Sequence, residues 1–426
     1  MTLEHSPAWA WRVFLTLTFT RWFPVGLVVG IFVLLATTRG LTTTQALTYA
    51  AVSGVVCFLL ELPTSGFADA FGRRPVYLAA AVVNVLTSWA YVAAHTFWAF
   101  VGAATLMGIF RALDSGPLEA WFVDTVHRTD PGKDVDQELS RQGTVLGLAI
   151  ALGALISGAL IWWHPLEQRS PLDLVVWIFA ALNVVHLIAV FTLLRETEGE
   201  GKPANSRGWQ AARTSARQAP GIIKQGLILA VRNPVLAGVL GAEAAWSIGM
   251  IAFESLLPLR LEELLGSAQA AGALVGPVAA VGWGIFALGT ALAGQASKRI
   301  GVARAAMLGR GLNAIGVILM GLAVGPAGVV IAYLFTYAMH GMNGPPHAAL
   351  LHRVASASNR STVLSLNSMV AFAAFAAASP IAGWASERAS ITATILGLGA
   401  LSLIGVLGYL PARRVERAGS PDVDAL

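Results

Sequence analysis

The sequence predicts an all-α integral membrane protein with twelve transmembrane helices, arranged as two bundles of six. Its composition, its series of apolar runs and an internal repeat lead to this fold class. Of the 426 residues, 56% are hydrophobic and 12% are charged, and the mean hydropathy is +0.68. Soluble domains carry about 25% charged residues. The composition therefore excludes an ordinary water-soluble fold.

Apolar runs long enough to cross a bilayer recur along nearly the whole chain. A hydrocarbon core about 30 Å thick needs about 20 apolar residues per helix, and roughly twelve such runs are present. Each is expected to be helical, because lipid offers no partner to an unpaired backbone amide or carbonyl. The runs begin near Val13, Leu47, Val76, Phe97, Gly143, Leu174, Val235, Ala270, Ala305, Gly328, Thr362 and Ile391.

Two pairs of similar segments indicate an internal repeat. The segment Lys298-Arg299-Ile300-Gly301 resembles the turn after Asp69, with an offset of 229 residues from Asp69 to Lys298. The segment around Gly344 resembles the one around Gly116, with an offset of 228 residues. Nearly equal offsets predict two homologous halves of six helices each.

The repeat and the composition of the connections predict four regions of the chain. They are an N-terminal bundle at 1–194, a cytoplasmic linker at 195–234, a C-terminal bundle at 235–410 and a cytoplasmic tail at 411–426. Within the linker, the segment from Gly221 to Val231 is interpreted as a short helix in the inner headgroup layer. A disordered linker is the alternative.

Basic residues in the connections predict the orientation and the location. Lys and Arg concentrate in cytoplasmic loops, and an inside amino terminus leaves only Arg39, Arg169, Arg260 and Arg388 in the outer connections. Both termini are therefore expected in the cytoplasm, with the chain in the plasma (inner) membrane. This topology accounts for the net charge of +5. Lipid headgroups, and not nucleic acid, are the expected partner of the basic residues.

The polar turn between the second and third runs resembles that of a transporter family. It reads Asp69-Ala70-Phe71-Gly72-Arg73-Arg74 and is similar to the pattern G-x-x-x-D-R-x-G-R-R of the major facilitator superfamily. Ser65 replaces the leading glycine and Ala70 the first arginine. The resemblance covers almost the whole chain. It implies a central cavity between two bundles that opens to either side of the membrane in turn.

Two interpretations of this turn remain open. An acid in a basic turn favours a latch, which holds one conformation through charge and helix-end contacts. Alternatively, the arginines only satisfy the positive-inside rule. The latch would include the turn, two acids near the inner end of the fourth helix, and the matching turn of the second half: Asp69, Gly72, Arg73, Arg74, Glu119, Asp124, Lys298, Arg299 and Gly301.

Charged and polar residues inside the apolar runs predict the lining of the cavity. A charge at that depth costs at least ~2.5 kcal/mol and should face protein or water. Arg111 and Asp114 share a helix face as an i, i+3 pair, which is either a binding site or a self-neutralised pair. The tenth run places two tyrosines, two histidines and an asparagine on one face. The predicted cavity residues are Arg21, Arg111, Asp114, Glu243, Trp246, Met250, Tyr333, Tyr337, His340, Asn343 and His347.

Glu243 is the sharpest signal among these residues. It lies about 12 Å into the seventh helix at ~1.5 Å per residue, and burial there would let its carboxylate exchange a proton near neutral pH. It is expected either to couple transport to protons or to bind a cationic substrate. A structural pair with a basic group such as Arg21 is the alternative. Glu254, further along the same stripe, is expected to be a rim residue near Arg260.

Glycines in the fifth run predict close helix packing. Gly147, Gly153 and Gly158 would let neighbouring helices approach or rock. The segment from Gly153 to Gly158 also resembles the G-P-x-x-G-G element of the exporter branch of the superfamily, with Ala154 for proline and Ser157 for glycine. The Glu61-x-Pro63-Thr64 segment resembles exporter sequences as well. Both resemblances favour export.

The sequence predicts a transporter and not an enzyme. It has no phosphate-binding G-x-x-x-x-G-K-[ST] loop, no cofactor or metal is expected, and Cys57 is the one cysteine. We expect a monomer that exchanges protons for an amphipathic drug-like compound or metabolite, by alternating access. A proton-coupled importer of a small polar nutrient is the first alternative. A non-transporting receptor or assembly factor on the same fold is the second.

Overall fold

Helices follow one another along the chain in the computed structural model, which describes residues 6–64, 67, 71–130, 134–195, 214, 217, 221, 224, 226, 228–356 and 359–418. Those residues include no β-strand. The first half contains α1 (Pro7–Val28), α2 (Ile31–Thr38), α3 (Thr43–Thr64), α4 (Arg73–Ala93), α5 (Phe97–Asp114), α6 (Pro117–Thr129), α7 (Asp136–Trp163) and α8 (Pro171–Leu193).

The second half repeats this order of long and broken helices. It contains α9 (Pro234–Ile251), a π-helical turn (Ala252–Leu256), α10 (Leu257–Leu265), α11 (Ala268–Ile300), α12 (Val302–Leu322), α13 (Pro326–Val354), α14 (Arg360–Arg388), α15 (Ile391–Ile404), a 3₁₀ turn (Gly405–Tyr409) and α16 (Leu410–Arg417).

The helices confirm the predicted fold class. In the described part of the chain, ten helical segments are long and apolar enough to cross a membrane, and α1 with α2, bent by 42°, forms an eleventh. Helix α13 has 29 residues. At ~1.5 Å per residue, its length is greater than the thickness of a bilayer core, about 30 Å. We assign it as the twelfth span of the fold; polar residues such as His340 and Asn343 lower its hydropathy. Each of the twelve apolar runs in the sequence coincides with a helical segment.

The chain packs as two compact units. The first comprises Met1–Arg39, Val55–Ala219 and Gly272–Ala280, and the second comprises Gly40–Gly54, Pro220–Ala271 and Val281–Leu426. In the first unit, Phe14 of α1 stacks on Phe122 of α6, with ring centroids 4.5 Å apart. In the second unit, Leu236 of α9 is fully buried in a cluster with residues of α12, α13 and α16. Each unit therefore has its own apolar core. The domain boundaries drawn from the sequence stay a prediction.

Two glycines at the starts of matching helices support the internal repeat. Gly72, before α4, has φ 98° and ψ 155°, and Gly301, before α12, has φ 87° and ψ 156°. Their positions differ by the 229 residues that the sequence predicts. Residues other than glycine rarely adopt a positive φ, so both turns need glycine. The repeat is imperfect at the second pair of segments. At Gly116, φ is 92° and a break separates α5 from α6, whereas α13 continues through Gly344 without a break.

Helix α7 packs against α1 by backbone-to-backbone contact. A Cβ added to Gly153 would lie 2.3 Å from the carbonyl oxygen of Phe23, and one added to Gly26 would lie 2.2 Å from that of Ile150. Gly158 is equally tight, since its added Cβ would lie 2.5 Å from the Pro277 side chain. An added Cβ on Gly147 would meet no atom of the described residues within 4 Å. The predicted close packing therefore applies to Gly153 and Gly158, and the structure gives Gly147 no such contact.

The linker is described at a few positions only. Gly221, Lys224, Gly226 and residues 228–232 are helical. The short helix from Gly221 to Val231 stays a prediction. Val231 is 86% exposed. The location of this helix in the headgroup layer stays a prediction, and Ile222, Ile223 and Leu227 lie outside the described residues.

Candidate functional site

A cavity of about 460 Å³, lined by both charged and apolar residues, lies in the first unit. We call it the N-terminal cavity and define it by residues of α1, α4, α5, α6 and α7 that include Arg21, Tyr77, Arg111, Asp114 and Glu119. Its volume falls in the range of about 300–1,000 Å³ that is common for small-molecule sites. Three predicted cavity residues therefore meet here, Arg21, Arg111 and Asp114. Glu119, predicted for the latch, lines this cavity as well.

Arg21 and Asp114 form an ion pair between α1 and α5. The Nε and Nη2 atoms of Arg21 both lie 3.0 Å from Oδ2 of Asp114. The guanidinium also lies over the Phe110 ring, 4.3 Å from its centroid. Arg21 is 6% exposed, so this charge is held by protein and not by water. The sequence suggested Arg111, on the same helix, as the partner of Asp114, whereas the structure gives Asp114 a partner from a different helix.

The second unit holds a buried network around Glu243. Its Oε2 lies 2.9 Å from Nη2 of Arg310 and 3.4 Å from Nε2 of His347. Arg310 also donates to the Tyr409 hydroxyl at 3.3 Å, and that hydroxyl lies 2.8 Å from Nδ1 of His347. Asn367 completes the network, 3.1 Å from Nε2 of His347. Glu243 is 8% exposed and Arg310 is 3% exposed. The structure thus gives Glu243 the basic partner that the sequence offered as an alternative, but this partner is Arg310 and not Arg21.

Aromatic side chains surround one side of this network. The Cζ atom of Arg310 lies 4.9 Å from the centroid of the Trp246 ring. That ring stacks on His340, with centroids 4.9 Å apart. Tyr337 packs against Tyr333, with centroids 4.7 Å apart, and against Phe253 at 5.7 Å. The predicted polar face of α13 thus forms an aromatic wall. Met250 is half-buried one turn after Trp246.

Two residues of the predicted stripes have other roles. Glu254 accepts a hydrogen bond from the Tyr337 hydroxyl at 2.5 Å, and Arg260 pairs with Glu263 at 2.9 Å. Glu254 is therefore part of the aromatic wall, and the expectation of a rim residue near Arg260 is wrong. The Asn343 side chain donates to the Ala306 carbonyl at 3.1 Å. It joins α13 to α12.

The predicted latch is described in part. Asp69 lies outside the described residues. Beyond the turn, Nε of Arg73 lies 3.3 Å from Oδ2 of Asp124 on α6, and Arg74 donates to the Phe191 carbonyl at 3.2 Å. Arg73 and Asp124 are thus brought together as the prediction requires. The pair is partly solvated, since the side chains are 26% and 55% exposed.

The matching turn of the second half has an acidic partner that the repeat did not predict. Glu416 of α16 accepts hydrogen bonds from the amides of Val302 and Ala303 at 2.9 and 3.1 Å, and it pairs with Arg353 at 3.2 Å. A carboxylate at a helix amino terminus is stabilising. Lys298 and Arg299 form the last turn of α11, next to this contact.

Replacing Asp124 with asparagine is expected to slow transport several-fold while changing the free energy of unfolding by less than about 1 kcal/mol, because exposed ion pairs contribute little to stability. Turnover in liposomes and thermal unfolding of the purified protein would measure the two effects. Asp130→Asn, at the exposed end of α6, is the control. Unchanged turnover in the Asp124 variant would remove this pair from the latch.

Sequence reasoning missed three residues of the Glu243 network and, in the first unit, His186. Arg310 is a charge within the apolar run of α12, a signal that could have identified it. Tyr409 and Asn367 carry no comparable signal. His186, 1% exposed on α8, lies 2.9 Å from the Thr20 hydroxyl by its Nδ1 atom.

No group of three or more residues suited to a metal ion occurs among the described residues.

Fold and sites together define a class of protein. Repeated halves of membrane-spanning helices that bury ion pairs and a polar cavity are the architecture of a transporter for small solutes. The chain belongs to the Major Facilitator Superfamily, whose sequence model matches residues 14–345 and 283–425. This membership makes the protein a multi-pass membrane transporter and not an enzyme. No curated protein matches the chain by sequence.

Solved transporters share the fold at low sequence identity. A mutant of the nucleoside transporter NupG is 12% identical with a TM-score of 0.73, and the match covers 94% of this chain and 99% of that one. A POT family transporter in complex with 5-aminolevulinic acid is 14% identical with a TM-score of 0.70, over 98% and 96% of the two chains. A mutant of peptide transporter POT in complex with sulfate is 14% identical with a TM-score of 0.72, over 96% and 95%.

These likenesses establish the fold alone, because the identities are so low. The similar structures are nucleoside and peptide transporters, so the expected likeness to the drug and metabolite efflux branch is not confirmed.

Proposed function

We propose that the protein is a proton-coupled antiporter that exports amphipathic compounds by alternating access. The observation that carries the proposal is the buried carboxylate of Glu243, held between Arg310 and His347. Protonation of Glu243 would remove the charge that Arg310 neutralises. The network would then have two arrangements, one for each protonation state. An ionisable group inside a membrane span is a candidate for a proton relay.

The remaining groups of the network would exchange hydrogen bonds as the proton moves. His347 contacts the Tyr409 hydroxyl by Nδ1 and lies near Glu243 and Asn367 by Nε2. Because an imidazole can donate or accept at either nitrogen, it can follow a change of charge on Glu243. Trp246 and His340, stacked beside Arg310, would contact the substrate as this change occurs.

A proton gradient is sufficient to drive such a cycle. One proton supplies ~1.4 kcal/mol per pH unit and ~2.3 kcal/mol per 100 mV of membrane potential. The Arg73–Asp124 contact would act as the latch that stabilises one conformation of the cycle, together with Asp69. The protein is proposed to work as a monomer in the plasma membrane, with both termini in the cytoplasm.

Export rests on the exporter-like Gly153 to Gly158 segment, in which both end glycines pack without space for a side chain. Import of a small polar nutrient is the second candidate, because the similar solved structures include nucleoside and peptide transporters. The two functions predict opposite effects on cells. An exporter lowers the retention of a compound, and an importer raises it.

Purified protein in liposomes with an imposed pH gradient tests the proposal. An acidic interior is expected to drive uptake of a lipophilic fluorescent dye against its gradient, and a protonophore should stop it. Retention of the dye in intact cells, with and without the protein, gives the direction. Higher retention with the protein would replace export by import. No movement of any solute would favour a receptor or assembly factor on the same fold.

A further inference from the structure

We propose that the N-terminal cavity binds a zwitterion, a molecule with a carboxylate and an ammonium group on an apolar skeleton. This inference rests on the proposed transport function and names its substrate class. Four features of the cavity carry it: two buried donors without partners, an exposed arginine, an uncapped helix end and a balanced set of charges.

Two buried polar atoms of the cavity residues lack hydrogen-bond partners. Arg21 uses Nε and Nη2 for Asp114, whereas its Nη1 has no partner in the described part of the chain, and neither has the Tyr77 hydroxyl. These side chains are 6% and 2% exposed. A buried polar group without a partner costs about 1–3 kcal/mol. Both atoms can donate, and a bound carboxylate would accept from them.

Positive potential converges on the same cavity from α5 and α6. Arg111 lines the cavity and its side chain is exposed. Helix α6 begins after Gly116, which also lines the cavity and caps the helix without any side-chain hydrogen bond. The amides of a first helical turn have no partner within the helix and attract anions. A carboxylate is therefore favoured at this end.

The charges on the lining residues that the structure describes predict that the ligand has no net charge. Among these residues, Arg21 and Arg111 are balanced by Asp114 and Glu119. A net ionic ligand would add an uncompensated charge to a site partly removed from water, which is costly. A zwitterion adds none. Glu119 is exposed and lines the cavity, so it can accept hydrogen bonds from the ammonium group.

The apolar skeleton has a place as well. Trp22, Leu118 and Leu146 also line the cavity. Binding pockets commonly combine apolar walls with a few polar groups that fix the orientation of the ligand. The cavity thus suits an amphipathic zwitterion.

Three probes with one skeleton test the proposal: phenylalanine, phenylalaninamide and N-acetylphenylalanine. At pH 6.5 the first is a zwitterion, the second a cation, because α-amino groups have a pKa of about 7.7–8.0, and the third an anion. Calorimetry on the full chain in nanodiscs should show phenylalanine binding at least about tenfold tighter than either analogue, a difference of about 1.4 kcal/mol. Equal binding of the three, or binding of none, would overturn the proposal.

Two variants assign the ends of the ligand. Arg111→Gln should remove the preference for phenylalanine over phenylalaninamide and keep the preference over N-acetylphenylalanine. Glu119→Gln should do the reverse. Arg304→Gln removes an exposed charge of α12 and should keep both binding preferences. An equal loss of preference in this control would contradict the roles assigned to Arg111 and Glu119. Size-exclusion profiles verify folding.

Dye transport in the same preparation separates this inference from the proposed function. Proton-driven dye movement without discrimination among the probes overturns the zwitterion site alone. If the protein discriminates among the probes but shows no proton-driven dye movement, the zwitterion site stands and the proposed proton coupling is overturned.

Discussion

Replacing Glu243 with glutamine is expected to abolish transport that depends on the pH gradient. Glutamine keeps the size of the side chain but cannot take up or release a proton, so the network around Arg310 loses its two charge states. Uphill dye uptake into liposomes should fall to the level of empty vesicles, while downhill movement remains. Both are measured as initial rates at matched protein content. Unchanged dependence on the pH gradient would exclude Glu243 as the coupling residue.

The same variant has a consequence for stability. Breaking a buried ion pair leaves an uncompensated charge and costs about 3–5 kcal/mol, so Glu243→Gln should lower the free energy of unfolding by that amount. The double variant Glu243→Gln, Arg310→Gln removes the stranded charge, and we expect it to recover most of the stability but none of the coupling. Arg353→Gln, at a pair whose side chains are 48% and 27% exposed, is the control and should cost less than about 1 kcal/mol.

Gly153→Ala is expected to destabilise the protein strongly. The added methyl group would meet the Phe23 carbonyl oxygen at 2.3 Å and the Gly26 Cα atom at 3.0 Å, which are backbone atoms that cannot rotate away. Separation of α1 from α7 should cost about 1–3 kcal/mol or more. Thermal unfolding in detergent and the yield of monodisperse protein measure the loss.

Gly147→Ala on the same helix is the matched control. No atom of the described residues lies within 4 Å of its added methyl group, and alanine is favoured over glycine within a helix by about 1 kcal/mol. This variant should therefore be neutral or slightly more stable. Similar unfolding temperatures for the two variants would contradict the close contact between α1 and α7.

The two buried charge networks differ in ways that bear on their roles. In the first unit, Arg21 keeps a donor beside a cavity that meets no acceptor among the described residues, which suits recognition of a ligand. In the second unit, Glu243 and His347 are each within reach of two or more polar partners. Such a network can redistribute hydrogen bonds when one proton is added. In the proposed function, the two halves would therefore carry different chemistry on one repeated scaffold.

Glu416 shows how the halves diverge. The turn of the first half has an acid of its own, Asp69, whereas Lys298 occupies the matching position in the second. There, the Glu416 carboxylate reaches the start of α12 from the C-terminal helix. Because α16 lies more than one hundred residues later in the chain, the local sequence of the turn gives no sign of this contact.

The sequence by itself determined the helices and their repetition. Lipid leaves the backbone no other structure, so each long apolar run had to become a helix, and the glycines at Gly72 and Gly301 mark matching turns because positive φ favours that residue. The tertiary structure alone decided which charges pair. Asp114 meets Arg21, and Glu243 meets Arg310, across helices that are distant in the chain. Helical periodicity fixes the face that a residue shares with its own neighbours, whereas the rotation and crossing of packed helices select its partner on another helix.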